Sequence, residues 1–252
     1  MPGNRTLRAL SVAAVAAMAG AAAMIFLYAP QDALQGPVQR IFYVHVSAAI
    51  AGFACFALVV WGGVAYLWKE DVRWDRVARS AALVGLVMLT VNIFMGIVWA
   101  KPTWNWDPAQ TWDAKFTTTV MLWLIYAAYL LIRRFAAPGR AQMRLAAIVG
   151  IFGFLDVPIV YESVNWWRTL HPGSVLVTSE GPAMPPAMLQ TFVVTQLAVM
   201  FLTAVLVAIR YRIEAVREER AQRQLAAALE LAADAERLGV VPKPMRAVLG
   251  VG

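Results

Sequence analysis

The stretch that decides the fold is 80-SAALVGLVMLTVNIFMGIVWA-100, 21 residues without one charged side chain. As a helix rising 1.5 Å per residue it measures about 31 Å, the thickness of a bilayer's hydrocarbon core. Backbone groups in lipid must bond within their own segment, which selects a helix. Five more apolar runs accompany it, and together the predicted spans are 10–29, 43–68, 80–100, 116–132, 145–163 and 188–209. The 252 residues are 61% hydrophobic and only 15% charged, with a mean hydropathy of +0.62. No period-two alternation favours a β-barrel. The expectation is an all-α integral membrane protein of six transmembrane helices.

Charge orients it. Arg5 and Arg8, then Lys69, Arg73, Arg76 and Arg79, then Arg133, Arg134, Arg140 and Arg144, and finally the tail from Arg210 place 18 of the 22 cations on one side. By the positive-inside rule that side, with both termini, is cytoplasmic. The net charge of +7 is then mostly topology and requires no nucleic acid. The first run exceeds a signal-peptide core and lacks a clean cleavage site, so it reads as an uncleaved helix. Residues 1–211 form one membrane domain. Residues 212–252 form a cytoplasmic tail, rich in Ala, Glu, Arg and Leu, that is helical before a disordered end.

The opposite side carries the unusual chemistry. Its connection 104-WNWDPAQTWDAKF-116 holds Trp104, Trp106 and Trp112 among Asp107 and Asp113. Interfaces attract tryptophan, which accounts for Trp99, Trp166 and Trp104, but a loop with three rings also suits a shelf for a flat apolar ligand. The chain's two histidines, His45 and His171, flank this loop on the same side. Each imidazole reads as a capping or packing residue or as an axial ligand to haem iron, and a pair can hold a haem from both faces. Zinc would want a larger cluster than any visible. The cations on this side are Arg40, Lys101, Lys115 and Arg168, candidates for propionates or lipid headgroups. The lone Cys55 packs in a span and leaves no thioether pair for covalent haem. Asp156 interrupts the fifth span two residues before Pro158, and Asn92 is a candidate partner across helices.

Three motifs in order, RIFYVHVSAA (40–49), KPTWNWDPAQTWDAKFT (101–117) and LDVPIVYESVNWWRTLHPGS (155–174), resemble the CcmC family of haem-handling proteins of cytochrome c maturation. The resemblance covers about residues 35–212. It implies a WWD segment at 101–117 on the periplasmic side of the inner membrane, with His45 and His171 as axial ligands of a non-covalently held haem b. It also implies delivery to a haem chaperone of the CcmE type, alongside ABC transporter subunits and a small single-span, CcmD-like helper. The family's ending W-D-A-R-L-T stands here as Trp112-Asp113-Ala114-Lys115-Phe116-Thr117. Its paired tryptophans are replaced by Trp104-Asn105-Trp106 in a longer stretch, and Lys115 keeps the charge of the usual Arg without the bidentate fork. Larger CcsA-like relatives use a second histidine pair, for which this chain has no residues. Neither a nucleophile with a base nor a phosphate loop indicates an enzyme. The alternatives from other classes are a b-type haem subunit exchanging electrons with quinol and a secondary transporter with broken helices.

Overall fold

The structure, a computed structural model, describes residues 4–107, 113–167, 169–173, 175–176, 179 and 181–237. Helix α1 (Asn4–Ala23) ends in a π-helical turn at Met24–Tyr28. A 3-10 turn at Pro37–Arg40 leads into α2 (Ile41–Lys69), followed by α3 (Val72–Trp104), α4 (Ala114–Phe135), α5 (Arg140–Gly153), α6 (Asp156–Trp166) and α7 (Pro186–Arg237). Six helical segments are long and apolar enough to cross a membrane: Arg5–Tyr28, Pro37–Lys69, Val72–Trp104, Ala114–Phe135, Arg140–Trp166 and Pro186–Ala235. The chain's contacts separate it into two units, Met1–Tyr211 and Arg212–Gly252. Within the second, Arg217 pairs with Glu214 and Arg237 with Asp234 at i,i+3 spacing, while Leu225, Leu229 and Leu231 stay exposed. The expected disordered end, from residue 238, lies outside the described residues.

The helices outrun the apolar stretches because their ends are capped by polar residues. Asp71 accepts the Arg73 N–H at 2.9 Å and starts α3; such a cap contributes about 1 kcal/mol. Glu70 ends α2 in the left-handed region (φ 52°), uncommon for a residue with a Cβ. Its carboxylate is held by Arg140 at 2.8 Å and by Arg144, so the strained turn is clamped to the start of α5.

The fifth apolar run is two helices. Pro158 has no N–H to donate, and its ring crowds the carbonyl four residues back, which is that of Phe154. The ladder therefore shifts to i→i−3 bonds: Phe154 N to Ile151 O (3.2 Å), Leu155 N to Phe152 O (3.1 Å) and Val157 N to Phe154 O (3.0 Å). Asp156 starts α6 at this break, 7% exposed, and its Oδ2 has no hydrogen-bond partner among the described residues. The expected Asn92–Asp156 pair does not form; Asn92 belongs to the site described below.

In the core Phe56 of α2 stacks on Tyr126 of α4 at 3.6 Å and 8°, and the Tyr126 hydroxyl donates to Gly150 O at 3.0 Å. A Cβ on Gly85 would lie 2.8 Å from Cys55 and from Phe56. The small residue lets α2 and α3 approach closely, as membrane helices do when they associate by packing rather than by expelling water. Near the start of α3 and the end of α4, Asp75 accepts from Arg133 through both oxygens, at 2.9 and 2.5 Å. Both side chains are about 95% buried.

Candidate functional site

At the other end of α3, a cavity of about 520 Å³ opens among α2, α3, α4, α6 and the segment after Trp167. Its size falls within the usual range for small-molecule sites. His45 enters from α2 and His171 from the loop, their ring centres 6.4 Å apart and their planes inclined by 37°.

His45 is fixed by α3. Its Nδ1–H donates to Asn92 O at 2.9 Å, and Asn92 Nδ2 donates back to His45 O at 3.0 Å. One turn further along α3, Gly96 lies flat against the imidazole: a Cβ there would stand 2.9 Å from His45 Cε1. Trp99 closes the other edge at 5.7 Å, ring to ring, with its Nε1–H anchored on Gln35 Oε1 at 2.8 Å. Asn92, Gly96 and Trp99 therefore share one face of α3 at i, i+4, i+7 spacing. Replacing Gly96 with valine is expected to push the ring off this seat. Ligand retention by the purified protein should fall about tenfold or more, the scale of losing support behind a metal ligand, while helix content by circular dichroism stays unchanged. Wild-type retention in that variant would refute the seat.

His171 is fixed by a loop. Asp113 caps α4 through Oδ1, which accepts the N–H of Lys115 (2.9 Å) and of Phe116 (3.3 Å). Its Oδ2 reaches the second segment, accepting the Thr169 hydroxyl at 2.5 Å and the Leu170 N–H at 2.9 Å. Thr169 Oγ1 in turn accepts the His171 N–H at 3.1 Å, and His171 Nδ1–H donates to Pro172 O at 2.8 Å. Burial lowers the His171 pKa below the ordinary imidazole value, and the nearby Lys115 cation acts in the same direction. Burial thus favours the neutral ring.

Both histidines give Nδ1 to a main-chain carbonyl, which fixes the tautomer and leaves Nε2 as the acceptor nitrogen; at His45 the Asn92 amide nitrogen lies 3.4 Å from it. Metal-binding imidazoles are oriented in this way. A metal–imidazole bond is about 2.0–2.1 Å, and a ring nitrogen lies about 1.1 Å from its ring centre, so two imidazoles on opposite sides of one ion have centres about 6.3 Å apart. The gap between His45 and His171 suits that arrangement.

Trp104 lies 5.6 Å from Trp99 and 6.3 Å from His171, so aromatic rings connect the two histidines along one wall. Trp106, 6% exposed, packs edge-on against Phe116 at 5.0 Å and lines the cavity; its Nε1–H has no acceptor among the described residues. That orphaned donor, with the Lys115 ammonium, is the chemistry a carboxylate-bearing ligand would meet. Lys115 Nζ donates meanwhile to Val160 O at 2.7 Å. Asp107 follows Trp106 without lining the cavity, and Arg40 stands over the Phe26 ring at 5.8 Å, also outside the lining. Trp112 and Arg168 lie outside the described residues. Trp166 and Trp167 pack edge to face at 5.7 Å, both half exposed, and neither lines the cavity.

The fold and site define a multi-pass membrane protein with two neighbouring imidazoles in an aromatic-walled cavity. The chain belongs to the heme exporter protein C family, whose model matches residues 3–226. It is 29% identical over 195 residues to heme exporter protein C of Haemophilus influenzae, covering 76% of this chain and 77% of that one. Heme exporter protein C of Escherichia coli K12 is 33% identical over 162 residues, with 63% and 64% covered, a little under two thirds of that relative's length. A cytochrome c biosynthesis ccmC-like mitochondrial protein of Marchantia polymorpha is 32% identical over 148 residues, with 58% and 61% covered.

Proposed function

We propose that this chain holds haem b non-covalently at the periplasmic face of the inner membrane, as cargo, and hands it on for assembly of c-type cytochromes. His45 and His171 ligate the iron through Nε2. Trp104 and Trp106, with Trp112 of the undescribed segment, form the apolar wall, and Trp99 joins them. Asp113 holds the loop that carries His171, while Asp107 shapes the turn after Trp106. Lys115, which lines the cavity, and Arg168 meet the propionates; Arg40, seated on Phe26, bears on the site only from outside the lining.

The observation that carries the reading is the pair of imidazoles, each tied at Nδ1, with ring centres 6.4 Å apart. The work assigned to the protein is binding and release rather than catalysis. In this reading the acceptor is a haem chaperone of the CcmE type, and the complex includes ABC transporter subunits and a CcmD-like single-span helper.

The test is the haem content of the full chain, produced with those partners and purified, by absorption and pyridine haemochrome. Wild type is expected to carry haem, and His45→Ala and His171→Ala to retain at most about a tenth as much, the scale at which weakened ligation lowers affinity. Haem-free wild type, or variants that keep the full content, would overturn the proposal.

A further inference from the structure

The two histidines are mounted unequally. His45 sits in the interior of α2, and its support comes from α3: the Asn92 carbonyl, the Asn92 amide on its own main chain, the Gly96 surface and the Trp99 ring. Moving it means separating two packed helices. His171 sits on a segment without regular structure, and its Nδ1 partner, Pro172 O, is part of the same segment and moves with it. The described hydrogen bonds that tie residues 169–171 to the helical body converge on one atom, Asp113 Oδ2, which receives Thr169 Oγ1–H and Leu170 N–H. Thr169 then passes that hold to His171 through the bond from the His171 N–H.

We propose that Thr169 is the positioning residue for the His171 ligand, and that this latch makes His171, not His45, the ligand that lets go when cargo leaves. The inference rests on the haem reading above. In the step it describes, the bond between iron and His171 Nε2 breaks and its electron pair stays with the nitrogen. The iron keeps its oxidation state and remains on His45, with the vacated face open to a ligand from an acceptor. A hydroxyl is required at 169 because one oxygen must donate to a carboxylate and accept a main-chain N–H together. Valine matches the shape of threonine and can do neither.

The experiment uses the full chain in detergent, loaded with ferric haem, as wild type, Thr169→Val and Thr169→Ser. Apomyoglobin serves as a general haem acceptor. Wild type should give a six-coordinate low-spin spectrum and slow transfer. Thr169→Val should shift toward a five-coordinate high-spin spectrum with one imidazole retained, and transfer about 10–100-fold faster, the range for losing a partner behind a metal ligand. Thr169→Ser should restore both readings, which a loss of mere packing volume would not allow. A low-spin Thr169→Val protein that transfers at the wild-type rate overturns the inference while leaving the haem reading intact. Should Thr169→Val fold poorly, Thr169→Ser alone decides, since serine retains the hydroxyl but lacks the methyl: a high-spin, fast-releasing Thr169→Ser protein also overturns it. Wild type without a low-spin haem removes the haem reading and the inference with it.

Discussion

Asp113→Ala is expected to cost the site most of its haem. The substitution removes four hydrogen bonds at once: two that cap α4 and two that hold the His171 loop. The lost cap costs α4 about 1–2 kcal/mol, which a helix packed among neighbours tolerates. The loop has less to fall back on, since hydrogen bonds to a charged group contribute about 1.5–3 kcal/mol each. Haem retention should therefore fall by about 10–100-fold, the penalty for removing outer support from a metal ligand, and no further than in His171→Ala. Asp113→Asn, which has one acceptor oxygen in place of two, should lose most of the same binding. The measurement is haem per protein after purification at matched expression. Retention at the wild-type level in Asp113→Ala would mean that His171 is placed by something other than this carboxylate.

Asp75→Ala should act on stability instead. Arg133 would be left with its guanidinium about 94% buried and its bidentate partner gone. Removing one member of a buried ion pair costs about 3–5 kcal/mol, mostly because the surviving charge stays desolvated. Replacing both, as Asp75→Ala with Arg133→Met, should recover much of the loss because the buried guanidinium is removed with its partner. Asp75 lies 17 residues before Asn92 along α3, about 25 Å in a helix, so the haem spectrum of the folded fraction should not change. Thermal unfolding in detergent reads the first effect and absorption the second. An unshifted midpoint in Asp75→Ala would show the pair to be energetically idle.

The six spans were legible because hydropathy over about 20 residues reports directly on the cost of burying polar groups in lipid. Pro158 announced a disturbance in the fifth, but that it splits the run into α5 and α6 follows from the Phe154 carbonyl, which sequence does not display. Both histidines and the Trp-rich loop were visible as candidates. The parts that hold them were not. Asn92 stood out as a polar residue in a span, yet its partner is His45, since pairing across helices depends on rotation about each axis. Gly96 carried no signal of its own; only its i+4 relation to Asn92 points at it. Trp99 was indistinguishable from an interfacial belt residue. Arg40 was a candidate for propionates, but it lies five residues before His45, roughly 140° around a helix, and its side chain lies on Phe26. Thr169 was hidden for another reason: its role depends on Asp113, 56 residues earlier in the chain.

Two imidazoles on one iron have a defined signature in the low-temperature EPR spectrum of the full chain with ferric haem bound. Wild type is expected to give the low-spin signal of iron between two imidazoles, replaced by a high-spin signal in whatever haem His45→Ala or His171→Ala retains. A high-spin signal in wild type, or a low-spin signal that survives both substitutions, would contradict it.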